Sequence, residues 1–441
     1  MPSSLSRRLQ AAVPSSRIGR LLRISLMAGE MAVGGAWHGA REVASGRRFD
    51  ASRALLSAGN AEVLAKQLSR LRGAAMKLGQ MLSIEGDQLL PPEFRQALAL
   101  LRSQGYAMPL AQLNRTLGRE LGAGWRRRFA WFEDEPVAAA SIGQVHRAET
   151  NDGRRIALKV QYPGVARSID SDVDNMAALL RWLDFLPVEL DIAALCTEAK
   201  RQLHEEADYL AEATHVERFH DWLTDDVELV VPRVHRDFTT RRVLALDWIE
   251  AEPLESLAAQ PAPQALRDRI GARIQALMFR ELFEFGCMQT DPNPGNYLVE
   301  RRGGRLVLLD FGATMRIDPC RVHGYRRLCA ALLRDDREAL RKHAIELGYA
   351  RADGPAGSTQ RLLDLIELVC EPLRTHGRYD FAAHGLPVRA RDLGLELATM
   401  QHLPTPPAET MFLHRKLAGA FLLCASLGAR VDVRSLVERH L

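Results

Sequence analysis

Residues 289–296 read Gln-Thr-Asp-Pro-Asn-Pro-Gly-Asn, and residues 308–312 read Leu-Leu-Asp-Phe-Gly. Short apolar runs at 297–300 and 305–309 lie between the polar parts of these stretches, and a glycine-containing turn separates the runs. This pattern predicts a short hairpin. A hairpin would place the polar end of the first stretch beside the second, so their polar side chains are expected at one site.

The polar residues of this hairpin have the chemistry needed for phosphoryl transfer. Asn296 and Asp310 supply an amide oxygen and a carboxylate, which are the hard oxygen ligands that Mg²⁺ prefers. Asp291 lies five residues before Asn296, which is the Asp-to-Asn spacing of a kinase catalytic loop, although Gln-Thr-Asp replaces the usual His-Arg-Asp. A polar surface loop beside an unrelated Asp-Phe-Gly turn is the alternative, and the order of both elements around a strand argues against it.

Lys159 stands near the end of a predicted strand that reads Ile-Ala-Leu-Lys-Val. A lysine in this setting can reach the α- and β-phosphates of a nucleotide and be held by a glutamate from a helix. The alternative is a solvent-facing lysine on an amphipathic strand. Its position before a predicted helical insert favours the nucleotide role.

An acidic helix and an alanine-rich loop are further candidates. A single helix at 193–222 would place Glu205, Asp208 and Glu212 on one face, and such a stripe is either solvated or neutralised by cations from elsewhere. The loop Ala138–Ala140 with Ser141 occupies the place where a glycine-rich loop would let backbone N–H groups approach phosphates. Composition alone identifies this loop only as a tight turn.

The order of predicted elements favours an α+β chain with two lobes. We expect a helical start and then three antiparallel strands at about 129–138, 142–150 and 154–161, with Asn151-Asp152-Gly153 predicting a hairpin between the last two. Two helices at about 165–185 and 190–222 follow, and then two strands at Leu229–Phe238 and Arg241–Ile249. A hinge at 251–263 and a mainly helical lobe follow. The predicted divisions are a basic, small-apolar segment at 1–50, a helical extension at 51–124, a first lobe with a helical insert at 125–250, and a helical second lobe at 251–441.

Composition narrows the class of protein. Of the 441 residues, 47% are hydrophobic and 26% charged, which is typical of a globular chain, and the net charge of +4 is too small to indicate nucleic-acid binding. The six cysteines lack zinc-ligand spacing, and their scatter favours free thiols. No apolar stretch is long enough to predict a membrane-spanning helix. Residues 1–29 are basic and free of acidic residues, which suits a solvated arm, a membrane-surface segment or a mitochondrial transit peptide.

Together these motifs resemble the UbiB/AarF-type atypical kinases over about residues 55–435. The alanine-rich loop matches that family's replacement for the glycine-rich loop. Lys77-Leu78-Gly79-Gln80 matches its K-x-G-Q motif in an N-terminal helical extension. Glu206-Ala207-Asp208 matches its E-x-D motif, and either Glu205 or Glu206 would meet Lys77.

The resemblance also implies roles for the remaining residues. Glu212 falls where the helix glutamate that pairs with Lys159 is expected. Asp291 matches the catalytic position, and Asn296 and Asp310 match the metal positions. In this family the Lys77, Gly79 and Gln80 extension covers the site where a protein kinase takes its peptide, and this chain also lacks an Ala-Pro-Glu motif after Asp310-Phe311-Gly312.

The resemblance therefore implies a bilobal protein-kinase-like fold and an Mg-ATP-dependent ATPase or small-molecule kinase that supports ubiquinone (coenzyme Q) biosynthesis. ATP or ADP and Mg²⁺ are the expected cofactors. A lipid or quinone precursor, ubiquinone-biosynthesis proteins and a peripheral membrane contact are the expected partners, with no nucleic acid. We expect a cytoplasmic, membrane-associated protein in a bacterium, or a mitochondrial one in a eukaryote. The alternative function is a weakly catalytic ATP-binding scaffold for a lipid-biosynthetic complex. The third hypothesis is a conventional protein kinase.

Overall fold

The computed structural model describes residues 107–140, 142–182, 192–259, 262–398 and 408–441. The chain divides into two compact units. The first contains the described residues up to Thr214 together with Arg233–Trp248. The second contains His215–Pro232 and Ile249–Leu441.

The first unit is built on an antiparallel sheet with helices before and after its main hairpin. Its elements are α1 Leu110–Glu120, β1 Phe129–Phe132, β2 Ala138–Ala139, β3 Gly143–Thr150, β4 Arg155–Gln161, α2 Val165–Trp182, α3 Ile192–Glu206, the start of α4 Tyr209–Trp222, and β6 Val243–Asp247. The five-stranded sheet has the order β1-β3-β4-β6, and β2 pairs with β3. The predicted β3–β4 hairpin is confirmed, since Glu149 lies opposite Arg155 and Gly153 takes the positive φ of 84° that the turn requires.

The side chains of β4 alternate between the two faces of the sheet, and only one face packs on the core. Ile156, Leu158 and Val160 are fully buried and pack with Leu113 and Leu117 of α1. Successive side chains of a strand point to opposite faces. Lys159 therefore lies on the face of β4 opposite this core.

The second unit is mainly helical, with short strands that hold its polar loops. Its elements are β5 Leu229–Val230, β7 Ala251–Pro253, α5 Leu254–Ala259, α6 Gln264–Phe283, β8 Cys287–Gln289, β9 Tyr297–Glu300, β10 Leu306–Leu308, β11 Thr314–Arg316, α7 Pro319–Leu333, α8 Arg337–Glu346, α9 Ala356–Val369, α10 Glu371–Arg374, β12 Tyr379–Asp380, α11 Leu386–Ala398, α12 Ala408–Leu427, β13 Arg430–Val431 and α13 Val433–Glu438. One sheet has the order β5-β10-β9-β7, and β8 pairs with β11. The predicted β9–β10 hairpin is confirmed.

The single helix predicted at 193–222 is wrong. Helix α3 ends at Glu206 and α4 begins at Tyr209. The carboxylate of Asp208 accepts hydrogen bonds from the backbone N–H groups of Leu210 and Ala211 at 3.1 and 3.2 Å, so this residue starts a new helix. Because Asp208 lies in the break, the predicted stripe of acidic side chains along one helix does not form.

Two further predictions differ from the structure. The strand expected at Leu229–Phe238 is reduced to Leu229–Val230, which pairs in parallel with β10 of the second unit. Pro232 lies two residues beyond this strand and cannot donate a ladder hydrogen bond. The expected hinge at 251–263 instead contains β7, an edge strand on β9, and helix α5.

The cysteine environments differ sharply, and all six positions lie in the described part of the chain. Cys320 is exposed, Cys370 is half-buried in a helix break, and the remaining side chains are buried: Cys196, Cys287, Cys329 and Cys424. Burial raises the pKa of Cys424 to about 12. Separately, within the described ranges no helix is both long and apolar enough to cross a membrane.

Candidate active site

The loop that follows β8 is folded by its own side chains. Asn293 accepts a hydrogen bond from the backbone N–H of Gly295 at 3.1 Å, and its carbonyl accepts one from the N–H of Asn296 at 2.9 Å. Pro294 fits the first position of the resulting 3₁₀ turn, since proline presets the required φ. The turn delivers Asn296 directly into β9.

Asn296 and Asp310 are brought together by the end of the β9–β10 hairpin. The backbone N–H of Leu309 donates to the carbonyl of Asn296 at 3.0 Å, so Asp310 is the next residue beyond this bond. The Nδ2 group of Asn296 donates to the backbone carbonyl of Asp291 at 3.0 Å. The structure thus gathers Asp291, Asn296 and Asp310 in one unit.

These side chains fit a magnesium ion. Asn296 Nδ2 donates to Asp291, and within the described part of the chain Asn296 Oδ1 accepts no hydrogen bond. Asp310 is oriented by the N–H of Gly312, which donates to its Oδ1 at 3.0 Å. An open amide oxygen and an oriented carboxylate form the hard oxygen donor set of Mg²⁺ sites. Among the described residues, no group of three or more His, Cys, Asp or Glu side chains is placed to hold a metal ion.

Phe311 anchors the segment that carries Asp310. Its side chain is fully buried, and its ring lies 4.6 Å from that of Phe219. The ring Nδ1 of His215 lies 3.1 Å from the carbonyl of Phe311, and burial lowers the pKa of His215. A neutral imidazole with Nδ1 protonated can donate to that carbonyl near neutral pH. The aromatic contact and this hydrogen bond fix the backbone on which Asp310 is carried.

Asp291 has a cationic neighbour that the sequence did not reveal. Arg415 Nη2, on helix α12, lies 3.0 Å from Asp291 Oδ1, and both side chains are mostly buried. The next residue, Lys416, forms a buried ion pair with Glu281 of α6. The sequence signal was the stretch Arg415–Gly419, which resembles a C-terminal helix of the UbiB/AarF-type family but indicates no partner for either cation.

In the first unit, Lys159 of β4 pairs with Glu212 of α4. The Nζ atom lies 2.8 Å from Oε1 and 3.1 Å from Oε2, and the glutamate side chain is only 1% exposed. Lys159 Nζ also lies 5.1 Å from the ring centroid of Tyr209. These contacts hold the lysine side chain extended along one face of the sheet.

The alanine-rich loop forms a tight turn against β3. Ala138 and Ala139 pair with Val145 and Gln144, and the N–H of Ala140 donates to the carbonyl of Gly143 at 2.9 Å. A Cβ atom at position 143 would lie 2.6 Å from a backbone oxygen of β4, so only glycine fits there. Ser141 lies outside the described residues.

The residues expected to regulate the site are only partly described. Lys77, Gly79 and Gln80 lie outside the described ranges, so their pairing stays a prediction. Glu206 is the last residue of α3. Asp208 caps α4 and lies 3.6 Å from Arg241.

The fold and these loops define a kinase-like protein of the atypical class, and comparisons with known proteins agree. Residues 100–344 match the ABC1 atypical kinase-like domain. The atypical kinase COQ8 of Saccharomyces cerevisiae mitochondria is 35% identical over 97% of this chain and 85% of its own length. The mitochondrial atypical kinase COQ8B of Rattus norvegicus is also 35% identical, over 99% of this chain and 83% of its own.

A solved structure gives the same result for the fold. Rv3197 from Mycobacterium tuberculosis, determined in complex with erythromycin, has a TM-score of 0.60 and 27% identity, covering 85% of this chain and 93% of that protein. The chain belongs to the ABC1 atypical kinase-like family. It is an enzyme of the atypical kinase/ATPase class. The predicted family, kinase-like fold and enzyme class are confirmed, and the COQ8 relatives support the predicted link to ubiquinone biosynthesis.

Proposed function

We propose that this protein is an Mg-ATP-dependent atypical kinase-like ATPase, or a kinase of a small lipid-like molecule, that supports ubiquinone biosynthesis. The observation that carries the proposal is the arrangement of the loop after β8. Asn296 donates through Nδ2 to the carbonyl of Asp291, and its own backbone is bonded to Leu309, beside Asp310. An aspartate near a two-oxygen metal site is what phosphoryl transfer requires of a protein.

The residues divide between positioning the nucleotide and handling the reacting oxygen. Asn296 and Asp310 would hold Mg²⁺, which when bound neutralises phosphate charge. Lys159, held by Glu212, contacts the phosphates, and Ala138–Ala140 with Ser141 cover them. Asp291 orients the attacking hydroxyl or water and accepts its proton.

ATP turnover by the purified protein tests this proposal against the scaffold alternative. The wild type is expected to hydrolyse ATP in Mg²⁺, and Asp291→Asn is expected to lower kcat while nucleotide still binds. Equal turnover by both proteins would remove Asp291 from catalysis. Binding without measurable turnover in either protein would favour the scaffold. Robust transfer to peptides would instead favour a conventional protein kinase.

The ubiquinone role is tested in cells. Cells lacking the protein should accumulate a quinone precursor and lose ubiquinone, and the wild-type gene should restore the normal profile. Asp310→Asn at equal protein level should not restore it. An unchanged quinone profile in the deletion strain would contradict the role.

Membrane attachment belongs to the same proposal. The basic, acid-free residues 1–29 would be attracted to anionic lipid, and this attraction weakens with salt. The full chain should bind anionic vesicles better than neutral ones, with a strong salt dependence, and deletion of residues 1–29 should reduce that binding. Equal binding by both chains would place the contact elsewhere.

A further inference from the structure

A buried polar cluster lies under the Asp291 loop of the second unit. We call it the loop anchor, and its members are Glu281, Gln289 and Lys416. Lys416 Nζ lies 2.8 Å from Glu281 Oε2, with side-chain exposures of 4% and 1%. Burial disfavours the ammonium ion, but the carboxylate of Glu281 and the hydroxyl of Tyr297 outweigh this and raise the pKa of Lys416. The contact with Glu281 therefore favours the charged form of Lys416.

The charge on Lys416 determines which way the Gln289 amide faces. Lys416 Nζ donates to Gln289 Oε1 at 3.2 Å. An ammonium group can only donate, so the oxygen of the amide must face it and the NH₂ group must face away. Gln289 Nε2 then donates to the backbone carbonyl of Asp291 at 2.7 Å. If the amide were reversed, Gln289 Oε1 would face the carbonyl oxygen of Asp291, and neither oxygen can donate a hydrogen bond.

The same carbonyl connects the loop anchor to Asn296. It accepts Asn296 Nδ2 as well as Gln289 Nε2, so both amides converge on Asp291. Because Asn296 is engaged through Nδ2, its Oδ1 is the atom left for a metal ion. The hydrogen bonds therefore run from Lys416 through Gln289 and the Asp291 carbonyl to Asn296.

Helix α12 approaches this loop closely at a second point. A Cβ atom on Gly419 would lie 2.0 Å from Cβ of Pro292, the residue after Asp291. That separation is impossible for two non-bonded carbon atoms, so the close approach of α12 to the loop depends on glycine at position 419. The contact is independent of the hydrogen bonds and shows that the loop is packed directly on α12.

We propose that Lys416 is a positioning residue for phosphoryl transfer: through the Gln289 amide it fixes the Asp291 backbone and leaves the Asn296 side-chain oxygen open. The assignment of the loop to phosphoryl transfer rests on the proposed function. The effect on loop order does not, because it follows from the hydrogen bonds alone.

The experiment separates positioning from simple stability. Lys416→Met leaves Glu281 buried without its cation and should lower the unfolding temperature, as removing one partner of a buried pair does. The double variant Lys416→Met with Glu281→Met removes both charges and should restore that temperature, since apolar replacement of a buried pair is often tolerated. Leu413→Ala, a buried apolar change on the same helix, is the matched control for lost stability.

Four quantities are measured for each protein: the unfolding temperature, kcat for ATP turnover, KM for Mg-ATP, and hydrogen exchange of the 289–296 peptide. In the double variant we expect near-wild-type unfolding, a kcat lower by about 10- to 100-fold, unchanged KM and faster exchange in the loop. Gln289→Met should give the same loss of kcat, and combining it with Lys416→Met should lower kcat per folded molecule no further, because both changes break the hydrogen bonds that run from Lys416 to the Asp291 carbonyl. Leu413→Ala should lower stability while kcat per folded molecule stays the same.

Recovery of both kcat and loop protection in the double variant would overturn the proposal, since the ion pair would then serve stability alone. Failure of the proposed function looks different. In that case the wild type itself shows no ATP turnover, and the exchange of residues 289–296 still decides whether Lys416 positions the loop. Unchanged exchange in the double variant then rejects the inference, and faster exchange supports it.

Discussion

Arg415 Nη2 lies 3.0 Å from Asp291 Oδ1, and the two side chains are only 11% and 15% exposed. An arginine holds a carboxylate in a fixed orientation because its planar group cannot rotate its donors independently. Asp291 is therefore restrained twice: its carbonyl by the amides of Gln289 and Asn296, and its carboxylate by Arg415.

Replacement of Arg415 should release the Asp291 carboxylate. We expect Arg415→Met to lower kcat by about 10- to 100-fold with little change in KM for ATP, because general-base positioning contributes on this scale. Steady-state ATP hydrolysis measures both constants. Arg351→Met, which breaks an exposed pair with Asp353 in the same unit, is the control and should have wild-type kinetics. A KM effect as large as the kcat effect would contradict a role confined to Asp291.

Removal of the Asp310 charge should weaken nucleotide binding only when metal is present. We expect Asp310→Asn to lower ADP affinity in Mg²⁺ by at least about tenfold, which corresponds to ~1.4 kcal/mol. Calorimetric titration in Mg²⁺ and in a metal chelator separates metal-dependent from metal-independent ADP binding. Asp318→Asn, a change at the exposed cap of α7, should leave both titrations unaltered. If Asp310→Asn bound Mg-ADP like the wild type, Asp310 would not be a metal ligand.

Loss of Glu212 should affect both stability and turnover. Glu212→Ala leaves the Lys159 ammonium without its carboxylate, and breaking a buried pair destabilises a protein by about 3–5 kcal/mol. Denaturant unfolding measures this change, and turnover is measured where the variant is fully folded. Asp134→Ala breaks an exposed pair with Arg126 in the same unit and should change stability by less than about 0.5 kcal/mol. Full activity of folded Glu212→Ala would show that the pair is only structural.

The alanine-rich loop and the K-x-G-Q segment are predicted to act together as a restraint on the phosphates. Alanine cannot take glycine's positive-φ conformations without strain, so Ala139→Gly should loosen the loop. We expect a changed preference between ATP and ADP, or new self-phosphorylation, without a gain in biological output. Nucleotide titration and phosphate incorporation measure these effects, with Ala383→Gly in a remote turn as control. The same affinities and the same self-phosphorylation within error would identify the loop as a turn only.

The partly buried pair of His235 and Asp247 should contribute to the loss of stability in acid. A hydrogen bond from His235, whose Nε2 lies 2.8 Å from Asp247 Oδ1, lowers the pKa of Asp247. A lowered folded-state pKa stabilises the protein above the unfolded value of about 3.9, and this contribution is lost as pH falls through the folded value. Asp247→Asn should thus be less stable at pH 7, by about 1 kcal/mol or less after solvent screening, and the gap should close in acid. Unfolding curves from pH 7 down to about pH 2 test this, and a gap that widens in acid would contradict it.

Local patterns predicted the parts of the site that depend on short-range geometry. The turn between β9 and β10 brought Asn296 to Asp310, as the glycine-containing sequence indicated, whereas the face of β4 that carries Lys159 was evident only in the structure. The break at Asp208 was missed because the helical periodicity runs through it and only the capping bonds end the helix.

Contacts between distant residues could not be predicted from such patterns. Arg415 and Lys416 lie 124 and 127 residues from their partners Asp291 and Gln289. No sequence periodicity connects a helix near one end of a lobe with a loop near its start. The packing of α12 against that loop is a property of the assembled unit, so these contacts emerged only from the structure.

The uneven burial of the cysteines gives the protein a natural attachment point for a probe. Cys320 is exposed at the start of α7, while burial raises the pKa of Cys370 and Cys424 to about 12 and so keeps their thiols unreactive. A maleimide dye should therefore react first at Cys320. Fluorescence from that single position would follow the second unit during nucleotide titrations without any engineered cysteine.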